Sequence, residues 1–260
     1  MKTVIKLILI DLLVTQIIAP ILIAIPCSLY QMLTVGTVDQ EKLVTMLMIP
    51  AQLTGQILML VYLWKAGYIS KERTTWSPVS PIYLFLCCVA MIASSTVVSA
   101  LSDQLKWLPD IMEQSFDILR SGWGGLIAIA VVGPVFEELL FRGAITKILL
   151  KQYNPTVAVL ISALFFGVFH INPAQIIPAF LLGILLAWTY VRTQSLIPCM
   201  LMHILNNTMA LWLTKKYPEA KYMDQIMDSN TYLITVSVAA FVLIVIVGLM
   251  IRFHRKAQQP

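Results

Sequence analysis

The run Gly133-Pro134-Val135-Phe136-Glu137-Glu138-Leu139-Leu140-Phe141-Arg142-Gly143 sets two adjacent carboxylates and a guanidinium inside an apolar stretch. Ionised side chains at the centre of a bilayer cost roughly 2.5 to 3.5 kcal/mol each on insertion scales, so in such runs they are kept for pairing or for chemistry. On a helix Glu138 and Arg142 stand at i and i+4, the favoured order for an acid–base pair, while Glu137 points about 100° away. Glu138 is therefore expected to pair with Arg142, which leaves Glu137 free to move a proton. The alternative is that both carboxylates only neutralise Arg142 and hold helices together.

The chain has three histidines, and two of them also lie in apolar runs: His170, after Phe165-Phe166-Gly167-Val168-Phe169, and His203, in Met202-His203-Ile204-Leu205-Asn206-Asn207. A single buried histidine is usually a hydrogen-bonded structural group. Two of them beside a glutamate pair and an asparagine suit general acid–base work and oxyanion binding. At 1.5 Å of rise per residue, Glu137, His170, His203 and Asn207 lie roughly 20, 21, 12 and 18 Å from one end of their runs, so tilted helices could bring them into one layer. Asn206 at i+3 and Asn207 at i+4 both share a face with His203, and either could join it. His254 belongs to a basic, solvated tail.

The elements that must position these groups are membrane helices. Of 260 residues, 59% are hydrophobic and only 12% charged, far from the quarter usual for soluble domains. Apolar runs of spanning length fall at about 4–29, 43–64, 81–101, 124–150, 156–171, 174–191, 195–213 and 232–251. This predicts an all-α polytopic membrane protein of about eight transmembrane helices, a single membrane domain over residues 1–260. The N-terminal run is too long for a signal-peptide core and is read as a retained span. The fifth and sixth runs are short and joined only by Asn172-Pro173, so they form either a tight hairpin or a pair that does not fully cross.

Basic residues (Lys2, Lys6, Lys65, Lys71, Arg73, Lys147, Lys151, Arg192, Arg252, Arg255 and Lys256) mark alternate loops, and acidic residues dominate the others. By the positive-inside rule both termini are cytoplasmic, in a multi-pass protein expected in the plasma membrane. The net charge of +5 is spread over these topology signals and makes no phosphate-binding face, which excludes nucleic acid as a partner. Cys27, Cys87, Cys88 and Cys199 sit in apolar runs without metal-site or disulfide spacing. Asp11 has no local partner and is read as a packing or interfacial residue of a run interrupted by Pro20 and Pro26. Gly183 and Ala187 have the spacing of a helix-packing seam. The stretch from Trp107 to Trp123 has the mixed character of an interfacial amphipathic segment.

Glu137-Glu138-x-x-x-Arg142, Phe166-x-x-x-His170 and His203-x-x-x-Asn207, in this order on successive spans, resemble the motifs of the CAAX-processing and bacteriocin-processing (Abi) family of intramembrane endopeptidases. The resemblance covers a catalytic core at about residues 120–213. It implies hydrolysis of a peptide bond in a membrane-associated or lipid-modified substrate. Glu137 would activate water with help from His170, and His203 and Asn207 would bind the oxyanion. Glu138 and Arg142 would orient the set, with Phe166 packed one turn before His170. Family members have been described both as glutamate-dependent and as metal-dependent. The metal-free reading is preferred, since no HExxH is present; a zinc site, if there were one, would use Glu137, His170 and His203. The competing reading is a non-catalytic membrane protein, an immunity factor or transporter, whose polar pocket is a relay or ligand site. A transporter would be expected to show paired halves, and none are visible.

Overall fold

The computed structural model describes residues 1–77 and 79–257, with side chains as far as Phe253. His254, Arg255 and Lys256, read above as tail residues, lie outside the described side chains. Among the described residues nine α-helices follow one another: α1 Lys2–Val35, α2 Gln40–Lys65, α3 Pro81–Ser102, α4 Glu113–Arg120, α5 Trp123–Leu150, α6 Pro155–Phe169, α7 Pro173–Thr193, α8 Leu196–Lys216 and α9 Ser229–Ala257. Among the described residues there is no strand, and seven helices are long and apolar enough to cross a membrane. The fifth apolar run is α6, which at 15 residues is shorter than these seven. The fold is an all-α polytopic membrane protein.

Local sequence sets the helix starts. Asp39 accepts from the Glu41 and Lys42 amides ahead of α2, and Ser80 and Asn154 cap α3 and α6, each directly before a proline whose missing N–H is no loss there. Proline does not break α1, as the sequence suggested it would. The helix runs through Pro20 and Pro26, with a wide π-type turn at Val14–Ile18 immediately before Ala19-Pro20.

Burial is graded from the centre outward. Half of the most apolar window of α5 is buried, against 6% of that of α9. On the outer helices large apolar side chains such as Leu9, Ile25, Phe241 and Ile244 are exposed, as a lipid solvent allows. Helix α5 feeds both core clusters. Phe136, Leu140, Phe141, Ile145 and Leu149 pack with residues of α1, α2, α6 and α7, while Leu139 packs with α3, α7, α8 and α9.

The two ends of the bundle differ in charge. The Met1 ammonium donates to Gln152, Lys147 pairs with Glu72, and Ser195 donates to the Ser77 carbonyl, so the basic segments gather at one end. Asp110, Glu113, Asp224 and the α6–α7 turn are tied together at the other, where Lys106 meets Asp224, Lys221 meets Glu113 and Asn172 meets Asp110. The Trp107–Trp123 stretch lies at this second end with both tryptophans exposed, and α4 is its helical part.

Helices α6 and α7 form a tight antiparallel hairpin. A Cβ on Gly167 would sit 2.6 Å from the Ile176 carbonyl, and one on Gly183 would sit 3.0 Å from the Phe166 ring, so both glycines are there for close approach. The turn places Ile171 at φ 60°, a left-handed conformation that a β-branched residue resists. It is held by the buried Asn172 side chain, which donates to Asp110 and accepts from the Ile111 amide.

Candidate active site

The site begins with an irregularity in α5. Its Gly133 amide reaches back five residues to the Ala128 carbonyl, and Pro134 has no amide to give. The Ile129 carbonyl is thus without a helical donor, and the Asn207 amide of α8 donates to it at 3.0 Å. Asn207 is itself oriented. Its oxygen accepts from the Asn206 amide at 3.1 Å, and the Asn206 oxygen accepts from the Ser95 hydroxyl of α3 at 2.6 Å. Both asparagines left open by the helical spacing are used, one to position the other. One N–H of Asn207 remains for another acceptor.

A second wide turn spans Leu139–Thr146, every residue of which is buried. Wide π turns of this kind are frequent at functional sites. The Thr146 hydroxyl meets the Phe141 carbonyl at 2.9 Å and Ser162 at 2.7 Å, which fastens the turn to α6.

Glu138 and Arg142 pair at 2.7 Å, both fully buried. Arg142 also donates to the Gly183 carbonyl at 3.2 Å and lies over the Phe166 ring, 4.4 Å from its centre. The same Glu138 oxygen that takes Arg142 also accepts from His203 Nδ1 at 2.9 Å. This contact was not legible in the sequence, because the partners are far apart along the chain. It fixes the histidine: Nδ1 carries a proton, and Nε2 is the atom turned toward Glu137 Oε2, at 3.8 Å.

Glu137 is the carboxylate left over. Its side chain is 23% exposed, and its Oε2 is buried without a hydrogen-bond partner. It opens on a cavity of about 670 Å³ shared with His170, His203, Asn206 and Asn207. Residues of α4, among them Phe116, Leu119 and Arg120, line the same cavity, which therefore extends toward the acidic end of the bundle.

His170 ends α6, with its Nδ1 2.8 Å from the Phe166 carbonyl, so Nδ1 is the donor and Nε2 is the atom left for a ligand. The histidine placed against both glutamates is His203, not the His170 expected to assist Glu137. Phe166 does more than pack behind His170. Its ring contacts His170, His203 and Phe141 edge-to-face and carries Arg142 on its face. Among the described residues no three His, Cys, Asp or Glu side chains are grouped so as to hold a metal ion, so Glu137, His170 and His203 are not assembled as a zinc set. Gly183 and Ala187 are buried on α7, with Gly183 against α6. Asp11 is not interfacial: it is fully buried and lines the cavity.

Residues 120–209 match the family described as Type II CAAX prenyl endopeptidase Rce1-like. Over 100 residues the chain is 29% identical to the "Putative membrane peptidase YdiL" of Bacillus subtilis (strain 168), a match covering 38% of this chain and 41% of that protein. The aligned part is thus less than half of the relative's length. No solved structure matches the chain. The stretch of residues 120–209, which carries all three motifs, is thus similar to Rce1-like CAAX prenyl endopeptidases.

Proposed function

We propose that the chain is an intramembrane endopeptidase that hydrolyses a peptide bond in a membrane-associated or lipid-modified substrate, with water activated by Glu137. The observation that carries this reading is the division of labour between neighbouring carboxylates. Glu138 is taken up by Arg142 and His203, while Glu137 is unpartnered on a cavity beside a histidine.

In the proposed reaction Glu137 takes a proton from water as the oxygen attacks the scissile carbonyl. His170 Nε2, with Nδ1 committed to Phe166, accepts the water's other hydrogen and orients it. The oxyanion is met by the free N–H of Asn207 and by His203 Nε2–H. Since His203 Nδ1–H is already given to Glu138, this second donor requires a proton on Nε2 as well. The C–N bond then breaks, Glu137 returns its proton to the leaving nitrogen, and an amine and a carboxylic acid are released. No step is routed through a metal, because the candidate ligands do not fit a three-ligand site in this arrangement. The lipid bilayer is the medium and a membrane-associated peptide the partner. Nucleic acid is not, and the basic end of the bundle is assigned to the cytoplasm of a plasma-membrane protein.

The test is cleavage of fluorogenic peptides, with and without a prenylated cysteine near the C-terminus, by the purified protein in detergent. Glu137→Gln should lower kcat by about 10² to 10⁴, the range of a lost general base, and a strong zinc chelator should leave the rate unchanged. Equal rates from the native protein and Glu137→Gln would overturn the role of Glu137, and loss to the chelator would overturn the metal-free mechanism.

A further inference from the structure

We propose that Asp11, on α1 and outside the Rce1-like segment, is a second carboxyl of the cavity, held as the neutral acid and positioning Glu137 by donating a hydrogen bond to it. This rests on the reading of Glu137 given above.

Asp11 is fully buried, yet neither of its oxygens has a hydrogen-bond partner. It lines the same cavity as Glu137, whose Oε2 is also buried and unpartnered, and as Gln56 of α2, whose Oε1 is too. Three helices, α1, α2 and α5, thus bring unpartnered acceptors to one space. A buried acceptor left unpaired costs about 1 to 3 kcal/mol, and an ionised carboxylate without a partner costs far more.

One proton answers both demands. On Asp11 it removes the charge and turns an acceptor into a donor. Asp11 and Glu137 reach one cavity from α1 and α5, and two carboxyls sharing a cavity hold on to a common proton. That proton stays on Asp11 because Glu137 has His203 Nε2 at 3.8 Å and Asp11 has no such neighbour.

The position is built. The wide turn at Val14–Ile18 follows Asp11 directly, the Thr15 hydroxyl donates to the Asp11 carbonyl, and Gly55 of α2 lets the helices close until a Cβ there would lie 3.0 Å from the Thr15 backbone. The cavity's remaining titratable side chains are Asp110, Arg120, Glu137, His170 and His203.

Two readouts test this. Intact protein in detergent at pH 7 is treated with dicyclohexylcarbodiimide, which modifies carboxylic acids in apolar surroundings and spares carboxylates, and adducts are located by mass spectrometry. Modification of Asp11 that slows as pH is raised is the expected result; no adduct at Asp11 at pH 7 overturns the proposal. This readout needs no cleavage, so an inactive native protein would count against the peptidase reading while leaving Asp11 decided. On a cleaved peptide, Asp11→Ala should lower kcat about tenfold at unchanged KM, the worth of one hydrogen bond to a charged group. Asp11→Asn, neutral and still a donor, should keep most of the native kcat and lose the alkaline fall of the pH–rate profile. An alkaline limb retained in Asp11→Asn, or native kcat in Asp11→Ala, would overturn it. If Asp11→Ala fails to fold, Asp11→Asn carries the comparison.

Discussion

Replacing Glu138 by glutamine should destabilise the protein more than replacing Arg142 by methionine, although both break the same ion pair. The contacts set the difference. Glu138 Oε1 takes Arg142 at 2.7 Å and His203 Nδ1 at 2.9 Å, and both Glu138 and Arg142 are fully buried. Glutamine leaves the Arg142 guanidinium without its counter-charge, and arginine cannot shed its proton to escape. Removing one partner of a buried pair in this way costs about 3 to 5 kcal/mol. In Arg142→Met the group left behind is Glu138, which keeps its hydrogen bond from His203 Nδ1. The loss is then nearer the about 1 to 3 kcal/mol of unmade hydrogen bonds. At about 2 to 4 °C per kcal/mol for a chain of this size, Glu138→Gln should lower the melting temperature in detergent by about 6 to 20 °C, and Arg142→Met by clearly less. The double variant removes both charges and should melt within about 5 °C of native, since a buried pair replaced whole is often neutral. It should still cleave poorly, because His203 has lost the carboxylate that holds its Nδ1. Melting followed by tryptophan fluorescence, beside peptide cleavage, separates the two effects. A larger loss from Arg142→Met than from Glu138→Gln, or a double variant no better than the worse single, would refute the charge-compensation argument.

Asn207→Leu should remove both the donor to the Ile129 carbonyl and the oxyanion N–H, lowering kcat by about 10² to 10³ as for one oxyanion donor, while Asn206→Ala, which only loosens Asn207, should cost less; equal losses measured on one peptide would place Asn207 outside the oxyanion site. Gly167→Ala puts a methyl group 2.6 Å from the Ile176 carbonyl and must spread the α6–α7 hairpin, so crosslinking across the hairpin and cleavage rates should both change, and a native rate would show that His170 does not depend on that contact.

What could be read from the sequence was what is local. The eight apolar runs, the Glu138–Arg142 pair at one helical turn and the face shared by His203 and the two asparagines all follow from spacing within a single helix. The contacts that give the site its chemistry cross between helices. Nothing in the spacing tells Glu138 that His203 will arrive from α8, or that Phe166 will lie between two histidines and a guanidinium. The sequence leaves Asp11 between a packing and an interfacial role for a different reason. Pro20 and Pro26 suggested a broken run whose depth was undefined, whereas α1 absorbs Pro20 behind a wide turn and continues, which carries Asp11 into the interior.

The two wide turns ahead of prolines suggest how the site is divided between the Rce1-like segment and the rest of the chain. Val14–Ile18 precedes Ala19-Pro20, and Ala128–Val132 precedes Gly133-Pro134. In each, a proline that cannot donate sits where a regular helix would need its amide, and one inserted residue turns the remainder of the helix by about 100°. A carboxyl group lies within a few residues of each turn, Asp11 before the first and Glu137 after the second, and both residues line the same cavity. On α5 the carbonyl freed by the turn is taken by Asn207, so the distortion that aims Glu137 also seats the residue assigned to the oxyanion. Aim and seating are therefore one constraint: a substitution that straightened α5 at Pro134 would move the base and its companion donor together. The helices outside the Rce1-like segment contribute to the same space through Asp11, Thr15 and Gln56. The cavity is then a joint product of helices inside and outside the Rce1-like segment, and that segment supplies the wall that holds Glu137, His170, His203 and Asn207.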